Sequence, residues 1–389
     1  MGLSFFVGYL FDGIRSNSGR GKHFSSVKTP QLLLLHFVTY SVLNLFTFLS
    51  SYDKIITYMF VNTFKLLSFL AFKLLIMKGS FCMPITEILE RNAREFGGDV
   101  ALVEVNPEIR ETRRVTWKEY ELIEPNPVCH YRREITWSVF NEKANRFANL
   151  LLSRGVKKGD KVGILLMNCL EWLPIYFGIL KTGALAVPLN FRYTPEEIKY
   201  CLDLAEVDIL VFGPEFIGRV EEIADEISKN RLLFYVGENC PSFAEHYDRL
   251  TANCASTTPY IELTDEDDAA IYFSSGTTGF PKAILHNHES LMHAARVEQN
   301  HHGQTKDDVF LCIPPLYHTG AKMHWFGSLI SGGKAVLLKG VKPEFILDTV
   351  SREKCTIVWL LVPWAQDILD AIDSGEVTLS KYELSQWRL

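Results

Sequence analysis

From Phe140 to Phe212 the chain switches back and forth between two hydrophobic periods, and few architectures accommodate that. Phe140, Ala144, Phe147, Ala148 and Leu151 recur at helical spacing, and Gly155 follows them as a C-terminal cap would. Val162 to Met167 is then an unbroken apolar run, short enough for a strand buried on both faces. Glu171 to Thr182 reads as the next helix, closed by Gly183, and Ala184 to Leu189 as the next strand. Thr194, Pro195 and Glu197 make a capping box with proline at the first helical position, opening a helix that ends near Ala205. Val207 to Phe212 returns to strand. Strands separated by helices of this length need crossover connections, so the expected class is α/β with mostly parallel sheets flanked by helices. The alternation resumes downstream: strands at Val309–Ile313, Ala335–Leu338 and Cys355–Trp359, with helices at Lys322–Ile330 and Pro343–Arg352. No longer period repeats, which excludes a solenoid.

Between the two alternating regions lies the sequence IYFSSGTTGFPK, residues 271–282. A β-branched, aromatic run feeds a loop in which Ser274, Ser275, Gly276, Thr277, Thr278 and Gly279 are all Ser, Thr or Gly. Small residues let backbone N–H groups close on a polyanion, and the hydroxyls add donors. Lys282 supplies a flexible cation at the far end, suited to the terminal phosphates of a nucleotide. A Walker A loop is excluded, because Pro281 stands where its second glycine belongs and Ala283 where its hydroxyl belongs. A plain polar turn would account for the Ser and Gly residues but not for Pro281-Lys282.

Position by position this loop resembles that of the adenylate-forming superfamily, Thr-Ser-Gly-Thr-Thr-Gly-x-Pro-Lys-Gly with a trailing histidine, which His288 matches here. Ala283 in place of the last glycine is a mild departure. A second block, Pro314, Pro315, Leu316, Tyr317, His318, Thr319, Gly320, resembles the Pro-x-x-His-x-x-Gly segment that follows. The resemblance implies an acyl-CoA synthetase-like ligase. A carboxylate attacks the α-phosphorus of ATP in line, pyrophosphate leaves, and coenzyme A converts the acyl adenylate to a thioester. It implies that Ser274 to Gly279 and Lys282 hold the nucleotide phosphates and that Mg²⁺ sits on ATP beside Thr277. Tyr317, His318, Thr319 and Gly320 would face the acid. His318 is the candidate catalytic residue, because a neutral imidazole offers one donor and one acceptor to a group that changes partner between half-reactions. The acid is taken as fatty, although no residue chooses between a fatty and an aromatic one. In relatives the acyl pocket is built near Met323, Trp325, Phe326, Trp359 and Trp364, although aromatics beside a sheet are more often core.

Charge and cysteine usage narrow the partners. The net charge is −6, and after residue 76 the chain carries 33 Lys/Arg against 44 Asp/Glu. An acidic globular part argues against nucleic acid, whose backbone needs a concentrated basic face. The eight cysteines form no CxxC pair, so neither a zinc ribbon nor a disulfide framework is indicated, and a reducing, cytoplasmic setting is expected for residues 83–389. Seven of the eleven histidines fall between His286 and His324, among them His288, His301 and His302. No zincin or deaminase signature is present, and His286 and His288, alternating as on one strand face, are too few to hold a metal.

Residues 1–76 differ in kind from the rest. Leu32 to Ser51 lacks Asp, Glu, Lys and Arg and follows Arg15, Arg20, Lys22 and Lys28, the layout of a membrane span. Ile55 to Ile76 is a weaker span, interrupted by Lys65 and Lys73. Two readings stand: a membrane anchor, or a mistaken start upstream of Met77 and Met83, close to MPITEILERNAREFGGD. The expected organisation is this extension followed by an adenylate-forming large domain over residues 83–389. The domain is expected to be incomplete, lacking the segments that in relatives hold adenine and ribose and the mobile C-terminal domain, and to leave an unpaired sheet edge. Such a chain is expected to turn over little. The competing class is a non-catalytic, membrane-tethered nucleotide-binding or scaffold protein. A peptide synthetase adenylation domain is disfavoured, because nothing suggests a carrier domain. Arg113-Arg114-Val115-Thr116-Trp117 is echoed by Arg132-Arg133-Glu134-Ile135-Thr136-Trp137. Only the second copy leads into an amphipathic helix, so the first is expected to be an insertion.

Overall fold

The computed structural model describes residues 83–107, 113–117, 120–124, 131–274 and 281–389. The two apolar runs of the first 76 residues lie outside that set, and among the described residues no helix is long and apolar enough to cross a membrane.

In chain order the elements begin with α1 (Thr86–Glu95), β1 (Val100–Val105), the pair β2 (Arg113–Trp117) and β3 (Tyr120–Glu124), and β4 (Arg132–Thr136). There follow α2 (Trp137–Ser153), β5 (Lys161–Leu165), α3 (Trp172–Lys181), β6 (Leu185–Pro188), α4 (Pro195–Leu204) and β7 (Ile209–Phe212). Next come α5 (Ile217–Ile227), β8 (Leu232–Tyr235), β9 (Glu245–His246), α6 (Tyr247–Ala252), β10 (Asp268–Ser274), β11 (Lys282–Asn287) and α7 (His288–His302). The last are β12 (Val309–Cys312), α8 (Thr319–Ser331), β13 (Lys334–Leu338), α9 (Pro343–Glu353), β14 (Ile357–Val358) and α10 (Val362–Asp373).

The strands assemble into two large sheets, one of order β14-β12-β13-β1-β4 and one of order β11-β10-β6-β5-β7-β8-β9. Each is parallel except for one antiparallel edge strand, β4 in the first and β11 in the second. The apolar runs are continuous because both faces of each sheet are covered. On β7, Ile209 and Val211 enter the central core while Leu210 and Phe212 enter the core under α4 and α5. On β13, Ala335 and Leu337 face the centre, and Val336 and Leu338 the core shared with α9 and α10. The middle layer holds α2, α3 and α8, joined by an aromatic cluster: Phe140 meets Phe177 edge-on at 5.8 Å, and Phe177 meets Trp325 at 5.9 Å.

The helix and strand expectations hold, with element ends shifted by up to three residues. The Thr194–Glu197 capping box is present, Thr194 Oγ1 accepting from the Glu197 N–H and the Glu197 carboxylate from the Thr194 N–H. Gly155 and Gly183 both take positive φ, +86° and +76°, as their capping positions require. The strand expected over Cys355–Trp359 contracts to Ile357–Val358. The helix expected from Lys322 begins three residues earlier, because His318 caps it. The duplicated Arg-Arg segment resolves as expected for its second copy, β4, which pairs with β1 and leads into α2. Its first copy, β2, pairs only with β3 in a two-stranded sheet.

One buried carboxylate joins the layers near the site. Glu104 on β1 accepts from Arg133 Nη2 at 2.7 Å and from the Leu170 N–H at 2.9 Å, with Lys339 Nζ at 3.4 Å. It ties β4, the entry to α3 and the end of β13 to a single point.

Candidate active site

A cavity of about 500 Å³ opens at the C-terminal ends of β6 and β10, beside the segment that follows β12. Carboxyl ends of parallel strands are where ligands bind in open α/β sheets. Pro188 and Asn190 line it from the end of β6, Tyr193 and Glu197 from the start of α4, and Tyr272, Phe273 and Ser274 from β10. Pro281 comes from just before β11, Ile284 and His286 from β11 itself, Tyr317 and His318 from the loop before α8, and Thr319 from the first residue of that helix.

The cleft therefore brings the two sequence blocks together. Ser274 ends β10, Lys282 begins β11, and they are Cα partners in the antiparallel ladder, so the phosphate-loop segment is rooted at one paired position. Ser275, Gly276, Thr277, Thr278 and Gly279 lie outside the described residues, as therefore does the position assigned to Mg²⁺. Lys282 is exposed at the cleft's rim and shares a strand face with Ile284 and His286 by alternation.

His318 is the N-cap of α8. Its Nδ1 accepts from the Gly320 N–H at 3.2 Å, which leaves the proton of a neutral ring on Nε2 as a donor. Thr319 opens the helix within the cleft wall, and a helix N-terminus favours negative charge there. Gly320 does not line the cavity. A Cβ on it would lie 2.7 Å from the Trp359 ring, so only glycine lets that indole close on the capping turn. Tyr317 packs edge-on against Phe191 at 5.6 Å, and burial pushes its phenol above the ordinary value.

The segment before His318 is held by a residue that sequence reasoning missed. Asn168, buried in the loop after β5, donates to the Pro314 carbonyl at 3.0 Å and accepts from the Leu316 N–H at 2.9 Å. Both ends of one amide thus fix the turn that delivers His318. Tyr193, Tyr272 and His286 are further lining residues that composition does not mark: strand parity points to Tyr272 and His286, and no local signal points to Tyr193, in the turn before α4. The aromatics expected near the acyl pocket divide differently: Trp325 and Phe326 are fully buried in the central core, and neither lines the cavity. Trp359 stands behind the capping turn, 6.4 Å from the His318 ring.

Behind the Tyr272 wall lies a buried lysine. Lys322 on α8 is fully buried, its Nζ has no hydrogen-bond partner among the described residues, and it sits 3.4 Å from the Tyr272 ring centroid. Burial holds its pKa well below the usual lysine range. The His286 imidazole is lowered by burial first and by Lys322 second.

The expectation that His286 and His288 share a strand face is corrected. Asn287 caps α7, its side chain accepting from the Ser290 N–H at 2.9 Å, so the strand ends between the two histidines. His286 stays at the cleft, while His288 turns into the interior with both ring nitrogens lacking partners among the described residues.

Known proteins share part of this sequence and this fold. A crotonobetaine/carnitine--CoA ligase of Salmonella paratyphi C is 32% identical over 222 residues, covering 56% of this chain and 43% of the relative. The chain thus spans less than half the length of the curated relatives it matches. An anthranilate CoA ligase solved in complex with anthranoyl-AMP superposes with a TM-score of 0.67 at 25% identity, over 79% of this chain and 54% of that one. A long-chain-fatty-acid-CoA ligase from Archaeoglobus fulgidus gives a TM-score of 0.66 at 18% identity, over 78% and 56% of the two chains, and shows the shared fold. The family of AMP-binding enzymes matches residues 89–389, and with the paired Ser274–Lys282 hairpin facing the His318 turn, this chain belongs to that family.

Proposed function

We propose that this cleft activates a carboxylic acid as its adenylate at the expense of ATP and passes the acyl group to coenzyme A. The observation that carries the reading is the single cavity lined by Ser274 and Pro281, at the roots of the Ser/Thr/Gly loop, and by Tyr317, His318 and Thr319 opposite. In it Lys282 and the loop would neutralise charge building on the leaving pyrophosphate, with Mg²⁺ arriving on the nucleotide. The His318 Nε2–H and the first turn of α8 would hold the attacking carboxylate. The relatives are named as CoA ligases, which supports coenzyme A as the acceptor. The acid is proposed to be fatty, on the apolar area that Tyr272, Phe273, Ile284 and Tyr317 give the wall.

The test is nucleotide binding and ATP–pyrophosphate exchange on the purified chain with octanoate and with benzoate. Lys282→Ala is expected to weaken ATP binding by about 10-fold or more, the loss of a charged contact worth 1.5–3 kcal/mol. His318→Ala should leave ATP binding intact and lower carboxylate-dependent exchange. Equal ATP binding by the parent and Lys282→Ala would refute the phosphate assignment, and exchange faster with benzoate would refute the fatty one.

A further inference from the structure

Two histidines of the segment His286 to His324 that the cleft does not use, His302 and His324, converge elsewhere. Glu298 and His302 stand one turn apart on α7, and His324 projects from the facing side of α8. Glu298 Oε2 lies 3.6 Å from His302 Nδ1 and 3.5 Å from His324 Nε2, and the three ligand atoms all fall within 4.8 Å of one another. Those separations are too long for charge-assisted hydrogen bonds, which draw in to about 2.7–2.9 Å. The two Glu298 separations are instead close to the edge of a coordination tetrahedron, about 3.3 Å for bonds of 2.0–2.1 Å, and the two imidazole nitrogens lie within 4.8 Å of each other.

The second observation is the orientation of His324. Its Nδ1 lies 2.8 Å from the Gly320 carbonyl, which can only accept, so Nδ1 carries a proton and in the neutral ring Nε2 presents its lone pair to Glu298. A backbone carbonyl on the far nitrogen is the arrangement that fixes metal-bound imidazoles. The ring is clamped further by Trp359, stacked at 4.7 Å and 20°. His302 is anchored through its backbone carbonyl, which accepts from Arg388 Nη1 at 3.0 Å. The three side chains are 13–24% exposed, fixed yet reachable from solvent.

We propose that Glu298, His302 and His324 bind a divalent transition-metal ion of the zinc class, stapling α7 to α8. Two imidazoles and one carboxylate suit Zn²⁺, Co²⁺ or Ni²⁺, whereas Mg²⁺ and Ca²⁺ take oxygen ligands. Three protein ligands leave a position for water, and the site acts on structure: α8 carries the His318 cap at its start, and Trp359 contacts both His324 and His318.

The experiment titrates the chelator-treated full chain with Co²⁺, followed by its visible d–d absorption, and with Zn²⁺, followed calorimetrically. One equivalent should bind with a tetrahedral-type spectrum, and Mg²⁺ should not compete. E298Q and H302Q should each weaken binding by at least the ~10–100-fold that loss of an outer partner costs. H301Q, next in sequence but not in the trio, should bind as the parent does. Absence of a one-equivalent event, or binding undiminished in both E298Q and H302Q, overturns the proposal. Far-UV circular dichroism of each variant separates loss of ligand from loss of fold.

Discussion

His288 offers the sharpest test of how the interior is wired. Its ring is fully buried at the start of α7, and neither nitrogen has a hydrogen-bond partner among the described residues. Burial lowers its pKa from 6.5 to about 4, offset in part by Asp267. The unfolded chain therefore takes up a proton below about pH 6.5 that the folded protein refuses until about pH 4, and stability is lost as pH falls through that window. Each pH unit of the window is worth about 1.4 kcal/mol, so the whole of it removes about 3 kcal/mol and the step from pH 7 to pH 5 about 2 kcal/mol. Leucine is apolar and similar in size, leaving no unsatisfied nitrogen and no titration. His288→Leu should be neutral or stabilising by about 1 kcal/mol at pH 7. At pH 5 it should exceed the parent by about 2 kcal/mol more. Urea unfolding of both proteins at the two pH values, read by tryptophan fluorescence, measures the difference directly. A stability difference that stays constant between pH 7 and pH 5 would refute the reasoning, because other groups titrate identically in both chains.

Two further outcomes follow from buried charge. Lys322→Met replaces a buried amine that has no hydrogen-bond partner among the described residues with a thioether of similar shape and should stabilise by about 1–3 kcal/mol, or raise Tm by about 2–6 °C at neutral pH. Because the folded lysine pKa is lowered, the parent gains stability as pH rises toward the unfolded value, and calorimetry across pH 7–10 should show that slope flattened in the variant. A lower Tm for Lys322→Met would mean that the Tyr272 face stabilises a charged ammonium there. Glu104→Leu should cost about 3 kcal/mol, the lower end for breaking a buried ion pair, since Arg133 keeps some access to water. A loss below about 1 kcal/mol in urea unfolding would show that Arg133 and Lys339 find water without it.

Much of the α/β order was legible because each element carried its own local signal. The Thr194–Glu197 box, the run Val162–Met167 and the helical spacing of Phe140 to Leu151 are short-range patterns, and local hydrogen bonding and two-sided burial convert them into structure. The misplacements also have physical causes. Asn287 could have been read as a cap, but the apparent alternation of His286 and His288 concealed it. The early start of α8 depends on a histidine acting as N-cap, which the usual Ser, Thr, Asp and Asn preference does not anticipate. Asn168, Tyr272 and His286 act through residues far away in sequence, as does the approach of His324 to Glu298 and His302, and single-sequence patterns carry no information on such pairing. The two motif blocks were readable as blocks, whereas their shared cavity follows from strand order.

The ladder between β10 and β11 has a consequence for how the cation is aimed. Because side chains on a strand alternate, Lys282, Ile284 and His286 point one way and Ala283 and Leu285 the other. Sliding β11 by a single residue against Tyr272 and Ser274 would turn the ammonium away and offer the cleft a methyl and an isobutyl group instead. The reach of Lys282 is thus set by a regular row of pairings running back to Ala270 and His286. The extra residue between Asp268 and Ala270 is already absorbed at the Asn287 end of the ladder, so a one-residue change matters most inside the regular stretch, where it would be felt at the phosphate end of the cleft as a reversal of sides.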